Sequence, residues 1–146
     1  MTSAWLHILI VHFPVLGSIL LLFLGFNALK TKKMASYKYL YWGSIFIALT
    51  AGIAYFSGPG TAVWVKENTT RYNKEIIENH ALWGRIGFSI GILMGLLGVM
   101  AIANYAQDEE PHPSIPWIVF GIIFILLLVF AYTAHLGGFI RRPDLL

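Results

Sequence analysis

The sequence predicts an all-α integral membrane protein, a four-helix bundle with both termini on the same side of the bilayer. Three observations predict it. Four segments are long and apolar enough to cross hydrocarbon, which takes roughly 20 residues. Only 12% of the 146 residues are charged and 58% are hydrophobic, against about 25% charged in an ordinary soluble domain. Aromatic rings (Trp5, Tyr39, Tyr41, Trp42, Trp83 and Trp117) stand near the ends of the apolar segments, where amphipathic side chains settle at the membrane boundary. Too little polar sequence remains to cover a soluble core of this size. Backbone groups in lipid must bond internally, so the spans are expected to be helices. Residues 1–146 are read as one domain.

The first span covers residues 5–29 and holds no Lys, Arg, Asp or Glu. Its start, MTSAW, lacks a basic segment, so it is expected to be a retained span and not a cleaved signal. Pro14 cannot donate to the carbonyl of Ile10, which predicts a kink just beyond His12. The second span covers residues 39–56. The third, residues 81–104, carries one charge, Arg85, and a stripe of Gly87, Gly91 and Gly95. That spacing suits close helix packing or a flat cofactor. The fourth, residues 116–139, is the most apolar, with IIFILLLVF at its centre.

Three connections remain. KTKKMASYK (30–38) and YAQDEEPHPS (105–114) lie on one face of the membrane. The stretch 57–80 lies on the other, with both termini; we call this the first face. It opens on Gly58-Pro59-Gly60, a turn signal, and its later part, RYNKEIIENH (71–80), suits a short interfacial helix. Asn68-Thr69-Thr70 fits a glycosylation acceptor, which matters only in a eukaryotic secretory setting. Lysines 30, 32, 33 and 38 form a dense cluster that favours the cytoplasm. The first face carries Lys66, Arg71, Lys74, Arg141 and Arg142, one cation more but dispersed. Clustering places the first face outside, in the periplasm of a bacterial inner membrane.

The chain has no cysteine. Disulfides, covalent c-type haem, cysteine-held iron–sulfur clusters and thiolate copper are thereby excluded. Metal chemistry would have to use histidine, carboxylate or methionine. No phosphate loop, dinucleotide fingerprint or nucleophile–base pair is evident, and a net charge of +3 implies no nucleic-acid partner.

The histidines are the unusual feature. His7, His12, His80 and His135 gather at the first-face end, on three different spans. His112, between two prolines in the opposite connection, reads as a solvated loop residue. His7 and His12 are five positions apart, about 140° around a helix, so they do not share a face. Haem b answers this pattern: it needs one or two imidazoles and tolerates lipid depth. His12 and His135 are the leading axial pair for the iron. His7 and His80 form a second pair, or orient the first. Four histidines allow one haem, or two in a crowded bundle. Arg85, with Arg141 or Arg142, would compensate propionates. Gly137-Gly138 would end the fourth helix or make room for a ring edge.

The stretch HILIVHFP (7–14) resembles the opening of the domain-of-unknown-function family 2231 of four-span bacterial membrane proteins, which reads His-Pro-x-x-Val-His-Phe-Pro. Ile8 stands where that pattern has proline. SGPG (57–60), His80 and HLGGFI (135–140) match later landmarks, while FIRRP (139–143) departs from them. The resemblance covers nearly the whole chain and implies four helices in a membrane.

These features are read as a haem b-binding electron-transfer subunit of a larger respiratory or photosynthetic redox complex. Its partners would be lipid, other subunits, and a c-type cytochrome or quinone. Such a chain is an accessory of an oxidoreductase and not itself a catalyst. The rivals are a cofactor-free assembly subunit, a bare metal site of three or four imidazoles, and last a transporter. The apolar opposite half argues against transport.

Overall fold

A computed structural model describes residues 2–69 and 73–142, with side chains from Ser3 onward. Thr70, Arg71 and the start of the expected interfacial helix lie outside the described residues. The chain forms helices α1 (Thr2–Ile10), α2 (His12–Thr31), α3 (Met34–Asn68), α4 (Lys74–Ala106) and α5 (Ile115–Arg141). No strand occurs among the described residues. Together α1 and α2 make the first span, so four spans are present, as the sequence predicts.

The first span is interrupted at Val11, whose N–H still reaches the His7 carbonyl at 3.0 Å. Pro14 has no N–H for the Ile10 carbonyl, and α1 ends at Ile10. The disruption thus falls just before His12, not beyond it. Lys32 closes α2 in the left-handed conformation, its N–H bonded to the Ala28 carbonyl at 2.9 Å.

The largest departure from expectation lies in residues 57–80. In place of a loop, α3 continues through Gly58-Pro59-Gly60 to Asn68. Proline removes only one bond from a helix that neighbouring helices support. The two glycines serve packing: a β-carbon on Gly60 would stand 2.7 Å from Ser3 Oγ. α4 begins at Lys74 because Asn73 caps it, accepting the Ile76 N–H at 3.2 Å. With 35 residues, α3 is about 52 Å long. That exceeds a hydrocarbon core of about 30 Å, and the charges of Lys66, Glu67, Lys74, Glu75 and Glu78 put the end of α3 and the start of α4 outside it.

Around the bundle, α2 packs on α3, α3 on α4, α4 on α5, and α5 back on α2. The first and third spans are therefore diagonal. Small residues set the closest approaches. A β-carbon on Gly98 would stand 2.8 Å from the Tyr41 carbonyl, and one on Gly95 2.5 Å from Ala48 Cβ. The glycine stripe of the third span is thus a packing seam. Leu21, Leu40, Tyr41, Ile47, Met94, Ile123 and Leu126 fill the interior. Tyr41 turns inward and not to the interface, stacking beside Tyr37 with centroids 6.5 Å apart. Buried Ser18 and Ser44 donate to carbonyls one turn back, at 2.6 and 2.9 Å, so neither hydroxyl is left unpaired.

The outer surface is apolar. Leu16, Leu20, Phe23 and Phe26 on α2, and Leu93, Leu96 and Val99 on α4, are all exposed. A water-soluble protein does not present so continuous an apolar surface. Lipid covers it.

Candidate functional site

The break at Val11 changes which helices meet at the first-face end. α1 packs on α3, while no Cα atom of α1 comes within 8 Å of one in α5 among the described residues. Below the break, α2 does pack on α5. The bundle is therefore closed at the opposite end and open between α1 and α5 at the first-face end.

Two imidazoles stand in this open end. His7 reaches inward from α1 and His80 from α4, the diagonal span. Their ring centroids are 6.2 Å apart, at an interplanar angle of 76°. His7 Nδ1 donates to the Ala54 carbonyl at 2.9 Å, with Ser57 Oγ as second acceptor at 3.1 Å. The Ser57 hydroxyl itself donates back to the Ile53 carbonyl at 2.8 Å. His80 Nδ1 donates to the Thr133 carbonyl at 2.9 Å. Carbonyls only accept, so each neutral ring carries its proton on Nδ1 and keeps the Nε2 lone pair. That is the tautomer of a metal-binding histidine, with its second nitrogen held by a backbone carbonyl.

Glycines admit both rings. Gly58 faces His7, with a notional β-carbon 3.7 Å from its Cε1; Gly137 faces His80 at 3.2 Å. α5 runs on through Gly137-Gly138 to Arg141, so these glycines clear a ring and do not end a helix. Both rings are half-buried. His80 lies almost two turns after the start of α4.

The other histidines do not join them. His12 and His135 are exposed and share no hydrogen bond or ring contact with His7 or His80. Two positions are about 200° on a helix. His12 precedes buried Pro14 by two, and His135 follows inward-facing Thr133 by two, so both turn outward. The expected leading pair is therefore not assembled, and the second pair is. His135 contacts Phe139 on its own helix, with centroids 4.6 Å apart. His112 is exposed, its Nδ1 2.8 Å from Ser114 Oγ, in keeping with a solvated loop residue. Arg85 and Arg141 are exposed, and no hydrogen bond joins either to the pair among the described residues; Arg85 is turned about 140° from His80 around α4.

Among the described residues, no three His, Asp or Glu side chains gather to hold a metal ion. The bare site of three or four imidazoles is thus not formed; two imidazoles are what the fold brings together. Ala54, Ser57, Gly58 and Thr133 escape sequence reasoning. Three act through backbone, which leaves no compositional signal, and Ser57 resembles any other serine in a span.

The fold and the site define an integral membrane protein of four spans, with an internal histidine pair at its first-face end. No family model, no curated protein and no solved structure matches the chain.

Proposed function

We propose that the protein is a haem b-binding electron-transfer subunit of a membrane redox complex, in which His7 and His80 would hold the iron. The observation that carries this reading is the pair itself: two Nδ1-anchored imidazoles from diagonal spans, converging in an end of the bundle that stays open. Ring centroids 6.2 Å apart bring the two imidazoles close enough that both would serve one iron. The opening between α1 and α5 supplies the side on which a macrocycle would enter. Bound there, the iron would supply one-electron chemistry. The chain's own residues hold the imidazoles and fix their tautomer. Arg141, at the first-face end of α5, is the cation assigned to the propionates.

The setting proposed is a bacterial inner membrane, with the first face in the periplasm and the lysine cluster at 30–38 in the cytoplasm. Electrons would pass to or from a c-type cytochrome or quinone within the host complex. Membership of family 2231 belongs to the same proposal, supported by the motif at 7–14.

A second reading is favoured by one observation. Every buried side-chain nitrogen and oxygen among the described residues already has a partner. Each imidazole bonds across helices, His7 tying α1 to α3 and His80 tying α4 to α5. A cofactor-free assembly subunit would use the pair as staples.

A reduced-minus-oxidised visible spectrum of protein purified in mild detergent separates the two. The haem reading expects sharp b-type bands, lost in His7→Ala and His80→Ala and kept in His12→Ala and His135→Ala. Colourless, folded protein that takes up no added haem would establish the staple reading instead.

A further inference from the structure

An apolar groove of 740 Å³ lies on the lipid-facing side of the bundle, along the seam of α3 and α4, with the start of α1 at its first-face end. Its floor is made of small residues, Ala48, Gly52 and Gly95, with Gly95 packed directly on Ala48. Its hydroxyls, Ser3 and Ser57, both stand at the first-face end. From Ser57 to Ile45, α3 runs about 18 Å along the groove. One leaflet of hydrocarbon is about 15 Å deep, half of a core of about 30 Å. The groove thus has the length of one acyl chain and polar groups only where a headgroup would sit.

A cation stands at that same end. Phe88, Ile92, Leu96 and Val99 form the α4 wall, and Arg85 continues their stripe one turn outward, within about 60° of Phe88. Gly91 lies against Ala51 and Gly95 against Ala48; this antiparallel register sets Arg85 level with Ser57. Arg85 is exposed and pairs with no carboxylate among the described residues. A guanidinium at the membrane boundary, above a chain-length apolar groove, matches a phosphate ester with a hydrocarbon tail. We infer that this groove binds an anionic phospholipid of the first-face leaflet, its phosphate on Arg85 and one acyl chain between α3 and α4. A neutral quinone or the helix of a second copy would fill the groove but would leave the cation unmatched.

The test is native mass spectrometry of detergent-purified protein titrated with phosphatidylglycerol or phosphatidylcholine. One phosphatidylglycerol should be retained per chain, under conditions that strip phosphatidylcholine. Arg85→Gln should weaken that retention by roughly tenfold, the loss of one charge-assisted contact, while Arg141→Gln keeps it. Ile92→Trp, which fills the groove from its lipid side, should abolish retention in protein of unchanged helical content. Equal retention of the two lipids, undiminished phosphatidylglycerol on Arg85→Gln, or a stable lipid-free dimer would each overturn the proposal.

Discussion

The His80 imidazole lies over Gly137, its Cε1 3.2 Å from where a β-carbon on that glycine would stand. The same edge of the ring is fixed by the Thr133 carbonyl, one helical turn earlier on α5, which accepts from Nδ1. His80 therefore sits where it does because α5 offers a hydrogen-bond acceptor and a missing side chain on the same stripe.

Filling that gap should separate function from stability. In Gly137→Ala the ring must shift by a few tenths of an ångström, while the helix gains about 0.5–1 kcal/mol from alanine. The unfolding midpoint should stay nearly unchanged. On the proposed haem reading, uptake of added haem, followed by the visible band, should fall. Gly137→Leu should lose both binding and stability. An alanine variant with wild-type affinity would show that the position of His80 is not set by Gly137.

The four first-face histidines should divide into two classes by stability as well. His7→Ala removes a hydrogen bond between α1 and α3, and should cost about 0.5–1.5 kcal/mol. His12→Ala and His135→Ala alter exposed side chains and should stay within about 0.5 kcal/mol. Reversible unfolding in mixed micelles, without cofactor, gives the comparison. A large loss at His12 would mean that its side chain faces the bundle.

Glycines that look alike in sequence should behave oppositely. Alanine at Gly98 would press on the Tyr41 carbonyl, a backbone atom that cannot swing aside. Overpacking of this kind costs about 1–3 kcal/mol. Around Gly121, nothing lies within 4 Å of a notional β-carbon, so alanine there should stabilise by about 0.5–1 kcal/mol. The same unfolding assay reads both.

Pro14→Ala restores an N–H opposite the Ile10 carbonyl and should fuse α1 and α2 into one helix. Straightening the span would close the gap between α1 and α5 and pull His7 from Ala54. Distances between spin labels at the first-face ends of α1 and α5 should shorten, and on the proposed haem reading uptake of added haem should drop. Unchanged distances would mean that the break at Val11 does not depend on the proline.

The sequence by itself determined the lipid setting, the four spans and the end of the bundle where the histidines collect. Apolar length and charge placement suffice for these, because each is a property of a segment. It also marked Pro14 as the point of disruption and Gly137 as room for a ring. It misjudged residues 57–80, because a Gly-Pro-Gly turn signal is local and the packing of α1 on α3 is not. It ranked His12 and His135, which the structure leaves exposed and apart, ahead of His7 and His80 for a related reason. His12 and His135 are deeper in apolar sequence than His80, but depth says nothing of angle. Which imidazole faces its neighbour depends on the turn of each helix about its axis and on the diagonal placement of the first and third spans. Those are fixed by glycine seams and carbonyl acceptors on other helices, so only the tertiary structure decided that His7 and His80 meet.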